Sequence, residues 1–113
     1  MLLDKSSKLV TSLDFRGTKI QFLENLSAKD LFVLIADVLQ LVSRKESFKA
    51  KDLAPKEWKG TIYQQLFIAC GENKVEASRL FGVIVKQALI MTPLLFTQVG
   101  AETEFDSVVY TRV

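Results

Sequence analysis

Apolar and polar positions alternate over the first part of the chain, which is typical of β-strands. Leu9, Leu13 and Phe15 fall on one side of this alternation, and Ile20 resumes it after a turn at residues 16–18. Successive side chains of a strand point to opposite faces of a sheet, so the two runs share one apolar face. The pattern predicts a β-hairpin near the N-terminal end.

A long, strongly apolar helix is predicted from about residue 28 to residue 43. Ser27 is a suitable N-cap, and Asp30 lies in the first turn, where a negative charge favours the helix dipole. The polar positions form a narrow stripe, consisting of Asp30, Asp37, Gln40 and Arg44. Because the helix is apolar on almost every side, we expect it at the centre of the fold. The acidic positions of the stripe are expected to be solvated or paired with basic residues.

Shorter helices are predicted after a basic connector. Pro55 fits the first turn of a short helix that carries Trp58. A further helix is expected to begin near residue 62 and to end at Cys70, with Gly71 as the residue that terminates it.

The next helix is predicted over residues 74–91, with Asn73 as its N-cap and Pro93 after its end. Gly82 lies in its middle, where glycine costs about 1 kcal/mol relative to alanine. Two explanations stay open at this point. Gly82 lets another backbone approach one continuous helix, or it is the turn glycine of a helix-turn-helix motif.

Residues 94–99 and 105–113 are rich in β-branched and aromatic residues around a turn at 100–104, and predict a second hairpin. The expected fold is therefore α+β, a single globular domain over residues 1–113 in the order β-β-α-α-α-β-β. The terminal hairpins would pair edge to edge in one antiparallel sheet, packed on the helix that begins at residue 28. The alternative is a winged-helix-like fold whose wing is the C-terminal hairpin.

The composition argues against an enzyme. The chain has no histidine and a single cysteine, so it lacks the usual nucleophile pairs and the usual zinc ligands. That cysteine, Cys70, lies at the end of a predicted helix, where the carbonyl dipoles disfavour a thiolate, so a buried structural thiol is expected. We predict a non-enzymatic protein with no cofactor and no metal site.

One cysteine cannot form a disulfide within the chain, which favours a reducing compartment. The most apolar stretch, residues 31–42, is interrupted by polar residues and is shorter than the roughly 20 residues that span a bilayer. We expect a cytoplasmic protein without a membrane segment.

The apolar content is high for 113 residues, with 49% hydrophobic residues, eight phenylalanines and a mean hydropathy of +0.20. Some apolar surface is therefore expected to remain uncovered in the monomer. We predict a protein-interaction or self-associating module, with a homodimer as the expected form. The candidate contact residues are two aromatic residues and two positions on the free edge expected for the last strand: Trp58, Tyr63, Val109 and Val113.

The alternative function is a DNA-binding regulator. Residues 73–83, NKVEASRLFGV, resemble the opening of the helix-turn-helix of the factor-for-inversion family, in which an Asn-capped helix with paired small residues ends in a Leu-Gly turn. The resemblance covers about a tenth of the chain. It stops where that family has a polar and basic reading helix, since residues 84–90 are mainly apolar.

The net charge of +2, from 15 basic and 13 acidic residues, does not by itself favour nucleic acid. Acidic residues also interrupt the basic stretch 44–59, so a solvated connector is the preferred interpretation of that stretch. Under the DNA-binding alternative, the phosphate contacts would come from Lys45, Lys49, Lys51, Lys56, Lys59, Arg79 and Lys86.

Overall fold

Short strands and helices are interspersed along the part of the chain that the structure describes. In this computed structural model that part comprises residues 1–4, 6–11, 24–54, 56–99 and 108–113. Its strands are β1 (Leu2–Leu3), β2 (Leu9–Val10), β3 (Ser47–Phe48), β4 (Phe96–Val99) and β5 (Val109–Arg112). Its helices are α1 (Ala28–Ser43), α2 (Ala50–Leu53), α3 (Gln64–Ala69) and α4 (Lys74–Met91). The fold is α+β, as predicted, and the radius of gyration of 13.3 Å is that of one compact domain of this length.

The strands form one five-stranded sheet in the order β2-β1-β4-β5-β3. The β1–β2 hairpin and the β4–β5 pair share this sheet. Their junction is parallel, however, because β1 pairs parallel to β4 while the other neighbours pair antiparallel. The prediction of a purely antiparallel sheet is therefore wrong. Leu2 lies opposite Phe96 at this junction, and both side chains are fully buried.

A short hairpin that the sequence pattern did not predict is formed by β1 and β2. Its turn is closed by Asp4, whose carboxylate accepts the backbone N–H groups of Ser6 at 2.8 Å and Lys8 at 2.9 Å. The hairpin predicted from the alternating pattern, with its turn at 16–18, lies outside the described residues beyond residue 11. The turn predicted at 100–104 lies outside them as well.

The last strand is not an edge of the sheet, which corrects the expectation for Val109 and Val113. β5 lies between β4 and β3, with Phe48 of β3 opposite Tyr110. A C-terminal hairpin held on both sides in this way is not a free wing, so the winged-helix alternative is wrong on this point. β3 has only two residues, too few to show the alternation of apolar and polar positions by which a strand is predicted. Its position depends on the burial of Phe48 against Phe96 and Tyr110.

One face of the sheet contributes to the core, and the other carries both polar and apolar residues, including the exposed side chains of Leu9 and Val99. The buried positions on the inner face are Leu2, Phe48, Phe96, Gln98 and Tyr110. On the opposite face the hydroxyl groups of Ser47 and Thr111 lie 3.3 Å apart, and the Thr97 hydroxyl donates to the carbonyl of Thr111. The described helices pack on the inner face of the sheet.

The central helix is α4 and not α1. It packs against α1, α2 and α3, and it buries seven side chains: Ala77, Leu80, Phe81, Ile84, Val85, Ala88 and Leu89. In α1 only Leu34, Val38 and Val42 are buried, spaced four residues apart along one side. The expectation that the 28–43 helix lies at the centre is therefore wrong, because part of its apolar surface faces solvent.

Gly82 lies half-buried inside α4, which is continuous from Lys74 to Met91. It is not the turn of a helix-turn-helix, so that alternative is wrong. The predicted N-cap is confirmed, since the side chain of Asn73 accepts the N–H of Glu76 at 3.1 Å. The predicted N-cap of α1 is also confirmed, since the hydroxyl of Ser27 accepts the N–H of Asp30 at 3.0 Å.

The short helix predicted after Pro55 is found earlier, at α2, and Trp58 lies outside any helix. Pro55 itself is outside the described residues. The local reason is a cap: the carboxylate of Asp52 accepts the N–H of Lys49 at 3.0 Å, which closes the first turn of α2.

The amino group of Met1 ties β1 to the end of α4. It donates to the carbonyl oxygens of Leu89 and Leu94, each at 2.8 Å, and also to that of Thr92. These carbonyls lie at and beyond the C-terminal end of α4, where a positive charge is favourable. Partial burial lowers the pKa of the Met1 amino group.

Gly71 ends α3, as predicted, in a Schellman motif. Its N–H donates to the carbonyl of Ile68, and the N–H of Glu72 donates to that of Phe67, both at 2.9 Å. Gly71 has a φ of +66°, in the left-handed region that favours glycine, and no atom lies near the position that a Cβ would take.

We therefore expect Gly71→Ala to lower the free energy of unfolding by about 1–2 kcal/mol, through backbone strain alone. Chemical denaturation measures this loss. Gly71→Asn is the matched control and should lose less, since asparagine tolerates the left-handed region. An alanine variant as stable as the wild type would contradict the assignment of the strain to this residue.

Candidate functional site

One side of α1 faces away from the core, although Leu39 at its edge also packs against the core residues. Phe32, Val33, Ala36, Leu39 and Gln40 lie on the side of α1 opposite its three buried residues, and we call these five residues the outer face of α1. The side chain of Phe32 is 73% exposed and that of Val33 is 39% exposed, while Ala36 and Leu39 are half-buried. Exposed apolar side chains next to half-buried apolar neighbours form a candidate contact surface.

Polar residues border the outer face at both ends. Lys29 and Ser43 are exposed at the two ends of the same helix side, and Arg44 follows the last turn. The five residues of the face carry no charge. An uncharged apolar centre with a polar rim is the usual composition of a protein-protein interface.

One flank of α1 is held against the start of α3 by a partly buried hydrogen bond. The hydroxyl of Tyr63 donates to the carboxylate of Asp37 at 2.5 Å. Burial raises the pKa of Tyr63, and the hydrogen bond and negative charge of Asp37 raise it further. The expectation that Asp37 belongs to a solvated stripe, or pairs with a basic residue, is thus wrong. At the other end of α3, the side chain of Asn25 donates to the carbonyl of Ala69 at 3.1 Å.

These two contacts place α3 alongside the N-terminal half of α1. Tyr63, just before α3, contacts the middle of α1, and Ala69, at the end of α3, contacts the segment before α1. The two helices therefore run in opposite directions. The outer face of α1 is carried by a helix that is fixed on its inner side by α4 and on one flank by α3.

The aromatic residues expected at an interface lie in the core instead. Trp58 and Tyr63 are 9% and 5% exposed. Their ring centroids are 6.0 Å apart, and those of Phe81 lie 6.0 Å from Trp58 and 5.4 Å from Tyr63, all in edge-to-face geometry. Large aromatic residues serve both as core residues and as interface anchors, so sequence alone could not distinguish the two roles.

The two valines expected at an interface lie on and just beyond β5. Val109 is half-buried opposite Val99, and Val113 is 76% exposed at the chain end. The N–H of Val113 donates to the carbonyl of Leu95 at 2.9 Å, so its backbone is held beside the start of β4. Val113 is therefore an exposed side chain on a fixed backbone.

The basic residues of the DNA-binding alternative lie on different elements. Arg79 forms an ion pair with Glu76 of the same helix, at 3.1 Å, and Lys86 is half-buried on α4. Lys49 is half-buried beside α2. The remaining lysines are exposed in the connector between α1 and α3: Lys45, Lys51, Lys56 and Lys59.

Cys70 is a buried thiol at the end of α3, as predicted. Burial raises its pKa to about 11, and the negative charge of Glu76 contributes to the shift. The structure therefore gives no activated thiolate at this position.

We expect native Cys70 to react at least about a hundredfold more slowly with a thiol reagent at pH 8 than the denatured chain does. A raised pKa leaves little thiolate at this pH, and burial limits access. The measurement is the rate of absorbance change with a chromogenic disulfide, with and without denaturant. Equal rates would show that the thiol is accessible and that its environment differs from the one described here.

Metal binding and membrane insertion have no candidate element in the described ranges. No three Cys, Asp or Glu side chains there lie close enough together to hold a metal ion. None of the helices in those ranges has both the length and the apolar character needed to cross a bilayer.

The chain shows no significant similarity to a known family model, to a curated protein or to a solved structure. Sequence reasoning did not single out Phe32 or Val33, although the signal was present: a helix that is apolar on almost every side has more apolar surface than one packing neighbour can cover.

Proposed function

We propose that this protein is a non-enzymatic interaction module that associates with a second copy of itself through the outer face of α1. The observation that carries the proposal is the exposure of Phe32 and Val33 on a helix whose inner side is already packed in the core. Burial of apolar area against another chain supplies the free energy of association.

The size of the face sets the expected affinity. A stable interface buries about 800 Å² on each partner. One side of a 16-residue helix offers less than that. We therefore expect a weak, concentration-dependent dimer, with a dissociation constant in the micromolar range or above.

The chemistry of the described polar groups supports a non-enzymatic role. The Tyr63 hydroxyl is engaged by Asp37 and has a raised pKa, so it is a poor acid or base at neutral pH. The Cys70 thiol is buried and has a raised pKa as well. Both groups serve packing in this arrangement.

We expect Phe32→Lys to abolish the concentration dependence of the mass measured by light scattering. A lysine at this position would place a charge at the centre of the contact and remove its largest apolar side chain. Val113→Lys is the matched control, since it introduces the same charge at an equally exposed position on another element, and it should leave the dimer intact. The thermal unfolding of each variant shows that it is folded.

Three outcomes would overturn the proposal. The wild-type chain could stay monomeric at millimolar concentration, or Val113→Lys could dissociate the dimer while Phe32→Lys does not. The third is a salt-sensitive complex with short duplex DNA that is lost when Arg79 and Lys86 are replaced by alanine. That result would favour the DNA-binding alternative.

A further inference from the structure

We infer that the two copies pair through α1 in antiparallel orientation, with Ala36 on the twofold axis between them. This inference rests on the self-association proposed above and specifies how the two helices meet. A twofold axis makes each residue face the residue that lies equally far from Ala36 in the other direction.

The order of residues along the outer face is symmetric about Ala36. Val33 lies three residues before it and Leu39 three residues after it, so each valine would pack on the leucine of the second copy. Phe32 and Gln40 are related in the same way, and the ring would cover the aliphatic part of the glutamine. A surface that complements itself in this manner fits a second copy of the same chain.

The size of the central residue favours a close approach. Ala36 has the smallest side chain of the outer face, and it would lie where the two helix axes cross. Small residues at a crossing allow interaxial distances near the lower end of the usual 8–10 Å. The larger side chains on either side, above all Phe32, then reach across the contact.

Charge decides between the two orientations. A parallel pair would place Arg44 and Lys45 of one copy beside the same residues of the other and would align the two helix dipoles. An antiparallel pair brings these basic residues to the other copy's N-terminal end, near the exposed Glu24. Lys29 would then face the uncharged Ser43. The antiparallel arrangement separates Arg44 and Lys45 from the same residues of the other copy. The like charges it leaves near each other are those of Lys29 and of Arg112, whose guanidinium donates to the carbonyl of Ser43 at 3.3 Å.

Disulfide cross-linking of single-cysteine variants tests the orientation. Lys29 and Ser43 are both exposed at opposite ends of the contact, about 21 Å apart along the helix. K29C and S43C variants are mixed at equal amounts under mild oxidation, at a concentration where light scattering shows dimer. Random pairing would make the mixed disulfide half of all cross-links, and an antiparallel dimer should give more than half. In a separate sample, A36C should cross-link to a second copy of itself. Lys59→Cys, exposed in the connector, measures the background, while Cys70 stays in place because it is buried.

The outcomes separate this inference from the proposed function. Predominant cross-links of K29C with K29C would show a parallel pair and overturn the inference. Cross-linking no greater than that of Lys59→Cys, in a solution shown to be dimeric, would place the contact elsewhere and overturn it as well. A wild-type chain that is monomeric at every concentration would overturn the proposed function together with the inference.

Discussion

Replacement of Phe81 by alanine is expected to lower the free energy of unfolding by about 3–5 kcal/mol. The Phe81 side chain is 1% exposed on the central helix, and its ring is the one that contacts both Trp58 and Tyr63. Its removal leaves a cavity where α4 meets these two aromatic residues. Chemical denaturation followed by tryptophan fluorescence measures the loss, since Trp58 is the only tryptophan of the chain.

Phe32→Ala is the matched control, because it makes the same change at an exposed position. At a concentration where the protein is monomeric, we expect its free energy of unfolding to change by less than about 0.5 kcal/mol. Similar losses in the two variants would contradict the assignment of Phe81 to the core and of Phe32 to the outer face of α1.

Removal of the Tyr63 hydroxyl is also expected to lower the stability of the fold. Tyr63→Phe deletes a partly buried hydrogen bond to a carboxylate, and we expect a loss of about 1–2 kcal/mol in the free energy of unfolding. The remaining ring keeps its contacts with Trp58 and Phe81. The effect should therefore come from the hydrogen bond and from the unpaired oxygen left on Asp37.

A double-mutant cycle with Asp37→Ala isolates this interaction. The double variant should lose less stability than the sum of the two single variants. Each single change already removes the Tyr63–Asp37 hydrogen bond, and this bond can be lost only once. Denaturant titration of the four proteins gives the coupling free energy. Strict additivity would show that the Tyr63–Asp37 hydrogen bond makes no net contribution to stability.

The hydrogen bond also has a structural consequence for the proposed interface. It joins residues that are 26 positions apart and fixes the start of α3 beside the middle of α1. The outer face of α1 is therefore carried by a supported helix and is formed before any second copy binds. An interface that needs no ordering loses less conformational entropy on association.

Features that depend on neighbouring residues could be predicted from the sequence alone. Ser27 and Asn73 cap their helices through hydrogen bonds that reach only three residues, and Gly71 ends a helix because of its own φ. The burial of Cys70 follows from its position at the end of an apolar helix. The α+β class likewise follows from the helical pattern of residues 28–43 and 74–91 and from the β-branched and aromatic residues near the C-terminal end.

Features that depend on distant residues were decided by the tertiary structure. The parallel pairing of β1 with β4, the insertion of β3 beside β5 and the contact of Tyr63 with Asp37 each join segments far apart in sequence. A hydrophobic pattern states how much apolar surface a segment offers, but not which neighbour covers it. Both long helices are strongly apolar, and the packing around α4 covers that helix while it leaves Phe32 of α1 in solvent. The sequence indicated that α1 has more apolar surface than one neighbour can cover, and only the packing of the core showed that Phe32 and Val33 are the residues left exposed on it.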